Sequence, residues 1–430
     1  MFTSHPLNCI IPPHLLENLL KSDNAAVQQA ALRTLVTSAA LRSARKVRPA
    51  LAGITNAGQG QRTIWDAEHR ETLANAKFER SETSGPSSDS AANRAFDDLG
   101  TTKKFYSDAF NRNSIDGFGM RLLGYVHFSE QLNNAFWDGQ EMVFGDGDGV
   151  VFSDLTGALD VVGHELTHGV TQTTAGLVYH DQPGALNESI SDVFGSLVKQ
   201  WSKNQTAAAA DWLIGAEVFT PGFAGDALRS MKDPGNAYNN SAMGKDPQPA
   251  HMRDFVALPD SRDNGGVHIN SGIPNKAFYL VATNIGGQAW KAPGQIWYES
   301  LKASTPTTQF QEFAETTMVK AAQLYGVDEQ SAVQDAWEQV GIQVKGLLPR
   351  PVAAAAEGSP EAALQERLKE LAADVKALTR ELRGQRRPTV KTAAGDNSSR
   401  AVKTVVRGTS SRPAKAGMRG ANRASHAKGT

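Results

Sequence analysis

The run DVVGHELTH, Asp160 to His168, constrains this chain more than any other feature. Its two histidines stand four apart, so on an α-helix His164 and His168 project from one face and can grip a single metal ion. Neutral imidazole nitrogens suit Zn²⁺, and Glu165, next to the first histidine, lies within reach of a metal-bound water. Such a site needs a third ligand and an open position for water. Glu188 fills the first need, twenty residues past His168 in GALNESISD, Gly184 to Asp192. Asp192 lies four residues on from Glu188, on the same helical face, placed to accept the free N–H of a ligating histidine; Asn187 can serve the other histidine. A bare H-E-x-x-H run arises by chance in many helices. The apolar frame and the downstream carboxylate helix are what turn this one into a site.

The chemistry of such a centre is hydrolytic. Zn²⁺ lowers the pKa of a bound water and polarises a carbonyl. Glu165 is the general base and later proton donor, and the tetrahedral oxyanion needs further donors. Tyr179, just past the zinc helix, and His268, in DNGGVHINSG from Asp263 to Gly272, are the candidates. Asp263 is placed to orient His268 and favour its cation. A lone Tyr or His is more often a satisfied core or surface residue, so only wider context gives these two a role.

Along the chain, residues 1–50 read as a leader with one helical stretch, apolar at Val27, Ala31, Leu35 and Ala39, ending in an exposed, flexible basic segment from Arg42 to Arg48. Residues 51–180 hold short strand-like runs such as Gly124 to Phe128 and Met142 to Phe144, then the zinc helix; residues 181–345 are helical in pattern. Strands first and helices later predict an α+β fold of two lobes with the metal between them. A Pro/Ala linker (346–360) leads to a predicted helix (361–385) whose Leu364, Leu368, Leu371, Val375, Leu378 and Leu382 form a heptad seam. Residues 386–430 carry few large apolar residues and are expected to be disordered.

Several ordered motifs closely resemble the thermolysin family of neutral zinc metallopeptidases over roughly Arg62 to Val344. They are HELTHGVTQTTAGLVY (His164 to Tyr179), NAFW (Asn134 to Trp137), GDGDG (Gly145 to Gly149), NESISDVFG (Asn187 to Gly195), LRSM (Leu228 to Met231) and DNGGVHINSG. The resemblance implies a β-rich N-terminal lobe, a helical C-terminal lobe and one zinc per chain on His164, His168 and Glu188, with Glu165 as base. It further implies that Tyr179 and His268 stabilise the oxyanion and that Asp192 and Asp263 support His164 and His268. Asn134, Ala135 and Arg229 would hold the substrate backbone. Phe152, Leu155, Val161, Ile214 and Leu228 resemble the wall of the pocket for the residue after the scissile bond. All five are apolar, so cleavage of proteins and peptides is expected on the amino side of large hydrophobic residues.

One departure concerns calcium. Lys199 stands where a bridging glutamate of the family's double calcium site would be, and Leu213 and Ala216 replace two more ligands, although Asp160 and Asp211 remain. An ammonium group opposes calcium, so the pair is expected to be absent. A site near Thr220 and Asp226 stays open, and Gly145 to Gly149 reads as a tight hairpin turn.

The start of the chain, IPPHL from Ile11 to Leu15, resembles the short propeptide of protealysin-like members, implying a zymogen whose first fifty or so residues inhibit by capping the cleft. Two readings stand for Cys9: a small apolar residue packed beside Ile10, or a thiolate on the zinc.

The single cysteine rules out an intramolecular disulfide. The N-terminus lacks the basic and apolar regions of a classical signal peptide, and no apolar run reaches membrane-spanning length. The expectation is secretion or release by a non-classical route, with a cytoplasmic location as the alternative. Residues 386–430 hold eleven lysines and arginines against one acid, Asp396, a net +10 that leaves −11 for the rest of a chain of total charge −1. That tail either binds polyanions or is a solvated flexible tether, and it contains no aromatic residue for stacking on bases.

Overall fold

The computed structural model describes residues 8–45 and 61–344. The expected linker, heptad helix and basic tail lie outside these residues, as do positions 46–48 of the basic segment.

The N-terminal lobe is a six-stranded mixed sheet. Its strands are β1 (Asn8–Cys9), β2 (Arg62–Asp66), β3 (Lys77–Ser81), β4 (Leu122–Val126), β5 (Ala135–Trp137) and β6 (Glu141–Phe144). They lie in the order β1-β5-β6-β4-β2-β3. β4 runs parallel to both β2 and β6, while β5 runs antiparallel to β6 and to β1. The predicted strand over Gly124 to Phe128 stops at Val126, because His127 turns into the left-handed region at φ 54°.

Helix α3 (Ser90–Phe110) packs on this sheet. It was not foreseen among the strand-like runs, although Ala91, Ala92, Ala95, Phe96, Leu99, Phe105, Tyr106 and Phe110 follow helical spacing and are buried. Asp89 caps it by accepting the N–H groups of Ala91 and Ala92. Its last turn joins Phe194 and Tyr298 in an aromatic cluster that ties the lobes together.

Ahead of the sheet, α1 (Pro13–Leu19) and α2 (Ala25–Arg45) form a helical pair. α2 runs through Arg45, so the first half of the expected flexible basic segment is helix. Its alanine- and arginine-rich sequence favours this. The GDGDG run is a loop rather than a hairpin turn, since β6 pairs only with β4 and β5 among the described strands. Asp148 holds the loop by accepting three N–H groups, from Val150, Val151 and Phe152.

The centre is a helix crossing. α4 (Leu159–Gln172) is buried without a break from Asp160 to Thr171, and α5 (Asp181–Ser202) from Pro183 to Gln200. They meet where Gly163 faces Gly195. A Cβ on Gly195 would stand 2.4 Å from the Asp160 carbonyl oxygen, so only glycine permits this approach. The remaining helices, α6 (Asp263–Asn270), α7 (Gly272–Ile285), α8 (Ala292–Ala303), α9 (Phe310–Leu324) and α10 (Val327–Gln339), build the second lobe. Its core includes the stacked pair Trp297 and Trp337, with the Trp337 indole N–H donating to Thr317. The fold is the expected two-lobed α+β arrangement, with His164, His168 and Glu188 in the cleft.

Candidate metal centre and substrate cleft

Helical spacing sets the ligand geometry. His164 and His168 lie one turn apart on α4, and Glu188 reaches across from α5. Their ligand atoms all fall within 4.8 Å of one another and are fully buried. The two Nε2 atoms are 3.0 Å apart; Glu188 Oε2 lies 3.5 Å from that of His164 and Oε1 3.4 Å from that of His168.

The other ring nitrogens are already committed. His164 Nδ1–H donates to Asp192 Oδ1 at 2.8 Å, and His168 Nδ1–H donates to Asn187 Oδ1 at 2.8 Å, with Ser191 Oγ 3.0 Å away. Each bond fixes the tautomer that turns an Nε2 lone pair inward. Glu188 Oε2 is buried with no hydrogen-bond partner among the described residues. A buried carboxylate oxygen without a donor is costly unless a cation meets it. Two imidazoles and one carboxylate suit Zn²⁺, so these residues fit that ion.

Electrostatics agree. Burial drives His168 down to about 3, outweighing the pull of Glu188, which leaves a neutral ligand. Burial would lower His164 as well, but Asp192 and Glu188 overcome it and hold the group at about 9. Metal uptake at neutral pH must therefore release a proton. Burial would raise Glu188, yet the surrounding His268, His168 and His164 keep it ionised, well below the ordinary range.

Glu165 is fully buried beside the triad. Its Oε2 accepts the Trp137 N–H from β5 at 3.0 Å, and its Oε1 has no hydrogen-bond partner among the described residues. Burial raises it to about 8, with the charge of Glu188 adding and that of His164 opposing. Tyr179 donates its hydroxyl to Glu188 and lies 3.1 Å from His268 Nε2. His268 Nδ1 is bonded to Asp263 Oδ1. Asp263 and Asn264 sit in the left-handed region, at φ 50° and 47°, with Gly265 and Gly266 following, so α6 begins as a tight turn that brings Asp263 back under His268.

Arg229 bonds Asp192 through Nε and Nη2, both at 2.8 Å, so one carboxylate serves a metal ligand and a cleft arginine. Asn275 donates to the same carboxylate at 2.8 Å. Asn275, Ser191 and the Trp137 N–H escaped the sequence reading. Ser191 has a signal, its place on α5 beside Glu188. The other two have none, because a distant side chain and a backbone group leave no pattern. Phe152, Leu155, Val161, Ile214 and Leu228 join one buried apolar cluster that also contains Ile10 and Ile11.

The cleft is filled by the chain's own N-terminal segment. Asn8 and Cys9 pair antiparallel with Trp137 and Phe136. Beyond the cleft, Leu15, Leu16 and Leu19 are buried, Asn18 donates to the Met243 carbonyl at 2.7 Å, and the Asn133 N–H donates to Thr34 of α2 at 2.9 Å.

Where the resemblance would put the family's calcium pair, expected here to be absent, Lys199 Nζ lies 3.2 Å from Asp160, 3.2 Å from Asp211 and 3.1 Å from Glu217. Burial would lower this ammonium group, but the three acids outweigh it and hold it charged well above its ordinary range.

Two family models match the chain: "Thermolysin metallopeptidase, catalytic domain" over residues 47–172 and "Thermolysin metallopeptidase, alpha-helical domain" over 175–342. An extracellular metalloprotease of Pectobacterium carotovorum subsp. carotovorum is 45% identical over 344 residues, which are 80% of this chain and 98% of that protein. Protease PrtS of a Photorhabdus species is 44% identical over 343 residues, 78% of this chain and 92% of that protein. Among solved structures, the precursor of protealysin, a metalloproteinase from Serratia proteamaculans, is similar with a TM-score of 0.71 and 46% identity, covering 78% of this chain and 99% of that one.

Proposed function

Because the chain belongs to the thermolysin family of zinc metallopeptidases, we propose that it is made as a zymogen and that the released enzyme cuts proteins and peptides on the amino side of large hydrophobic residues. The endopeptidase class and the zinc come with the family. The preference and the zymogen state are the proposal. One observation carries both: residues 8–11 lie along β5 as a bound strand, with Ile10 fully buried, its carbonyl on Arg229 and the Ile11 N–H on Asn134.

His164, His168 and Glu188 would hold the zinc, which when bound would supply Lewis-acid polarisation of the scissile carbonyl and a more acidic attacking water. The chain's own groups do the rest. Glu165 takes the water proton and passes it to the leaving nitrogen. Tyr179 and His268 donate to the developing oxyanion; burial would lower His268, but Glu188 and Asp263 overcome it and hold the ring cationic, at about 9. Asn134, Ala135 and Arg229 hold the substrate backbone as an added strand on β5.

Release from the cell is part of the proposal. Its support is the printed name of the Pectobacterium relative, an extracellular metalloprotease. Among the described residues, no helix is long and apolar enough to cross a membrane. The test is to incubate purified full-length protein, follow hydrolysis of peptides that differ only in the residue after the bond, and sequence any new N-terminus. Growing activity that accompanies loss of the N-terminal segment, with Leu, Ile or Phe favoured over Asp or Gly, is expected. Full activity of an uncleaved chain would refute the zymogen, and equal cutting before Asp would refute the preference.

A further inference from the structure

We infer that the Cys9–Ile10 peptide bond lies in the cutting position of the cleft and that the enzyme hydrolyses it in its own chain. This rests on the proposed peptidase reading and names one substrate of that site.

The register is set by four contacts in chain order. The Cys9 carbonyl accepts from His268 Nε2 at 3.0 Å. The Ile10 N–H donates to the Ala135 carbonyl at 3.3 Å. The Ile10 carbonyl accepts from Arg229 Nη1 at 3.0 Å, and the Ile11 N–H donates to Asn134 Oδ1 at 3.1 Å. Of these carbonyls only that of Cys9 meets His268, whose Nε2 also lies beside the Tyr179 hydroxyl. An oxyanion forms on the carbonyl of the residue that precedes the broken bond. That places the break after Cys9.

Two further observations fit the same register. Ile10 follows the bond and is fully buried, a large branched residue of the kind the apolar wall accepts. Cys9 pairs with Phe136, and the next residue on β5, Trp137, holds Glu165 through its N–H. Shifting the break by one residue fails on chemistry: the Ile10 carbonyl sits on Arg229, which is committed to Asp192.

The step balances as simple hydrolysis. Water oxygen bonds to the Cys9 carbonyl carbon, and the C–N bond breaks with its electron pair going to the Ile10 nitrogen. The water protons end on that nitrogen, leaving a Cys9 carboxylate and an Ile10 ammonium. Among the described residues, the segment ending at Cys9 is then held through the short β1–β5 pairing and the Cys9 contact with His268, whereas Ile10 onward remains anchored by buried α1. Cutting here breaks the covalent link between the two halves of the docked strand, at His268 and at Arg229.

The test is a time course of intact mass and N-terminal sequence on zinc-loaded full-length protein, with an added hydrophobic peptide assayed in the same samples. A new N-terminus at Ile10 is expected, appearing at a rate unchanged by tenfold dilution and absent in Glu165→Gln. Ile10→Asp should slow this cut at least a hundredfold. A readout independent of turnover is alkylation of Cys9, the single cysteine, in metal-free full-length protein. It is 5% exposed and should react slowly, and Ile10→Asp should speed the reaction by undocking the strand. Hydrolysis of the added peptide while residues 9 and 10 stay joined would overturn the inference alone, as would a cutting rate that scales with concentration. No hydrolysis of either bond by zinc-loaded protein would overturn the peptidase reading itself.

Discussion

Asp192 carries more of the site than any other supporting side chain. It accepts from His164, from Arg229 twice and from Asn275, all while fully buried. Asp192→Asn keeps the shape and removes the charge. Zinc affinity should then fall about 10–100-fold, as expected for loss of an outer-shell partner. Arg229 loses its buried counter-ion, which should cost roughly 3 kcal/mol. Competition with a chelator and chemical denaturation measure the two effects separately; unchanged affinity would deny Asp192 its role. Much of this site was readable from sequence, because His164/His168 and Glu188/Asp192 each repeat at four residues and a helix turns that spacing into a shared face. Asn275 was not readable, since it arrives from α7 by tertiary packing alone.

Among the elements, the α4–α5 crossing fixes where Glu188 stands relative to the histidines. Gly195→Ala would push a methyl group against the Asp160 carbonyl and the His164 backbone nitrogen. The helices must separate, so zinc affinity and thermal stability should both drop, the latter by about 1–3 kcal/mol. A variant with wild-type zinc binding would mean that the crossing tolerates more space than its geometry implies. In the N-terminal lobe, His127 joins the end of β4 to two other elements. Nδ1–H donates to Asp146 after β6, and Nε2–H donates to Asp89 at the start of α3, both at 2.7 Å. The bond to Asp146 raises His127 to about 9, against burial and with help from Asp89. A folded-state pKa above the unfolded 6.5 stabilises fully below pH 6.5, and that stability is lost as pH rises through 9. With solvent screening allowed for, it amounts to about 1–2 kcal/mol. His127→Asn, which tolerates the positive φ, should lower the melting temperature at pH 6 and have little effect at pH 10. An equal loss at both values would show that His127 acts by packing. Neither His127 nor α3 stood out in the sequence. The residues of α3 do carry helical spacing, but the surrounding Gly, Asn and Asp punctuation made the whole region read as strands and turns.

At the scale of the molecule, two lobes close on a strand of the same chain, and a lysine stands among three acids beside the central helices. Lys199 pairs with three acids, two of them partly exposed, so an ammonium group already neutralises the carboxylates that a calcium pair would need. Lys199→Glu, which restores a carboxylate at this place, should make the melting temperature rise with millimolar calcium by more than it does in the wild type. Lys199→Met should destabilise the fold by roughly 3 kcal/mol by stranding the fully buried Asp160. A calcium shift as large in the wild type as in Lys199→Glu would contradict the first expectation. The two-lobed plan was legible because the sequence passes from short alternating runs to long helical ones. The docking of residues 8–11 was legible only as a resemblance, since no local pattern announces that a strand will pair across the whole body of the protein. The most direct test of the account is metal content set against turnover for the wild type and Glu165→Gln. One zinc per chain in both proteins is predicted, with peptide hydrolysis lost on chelation, restored by zinc in the wild type and lower by about 10²–10⁴-fold in the variant. Hydrolysis that survives complete removal of the metal, or a folded chain that takes up no zinc, would contradict it.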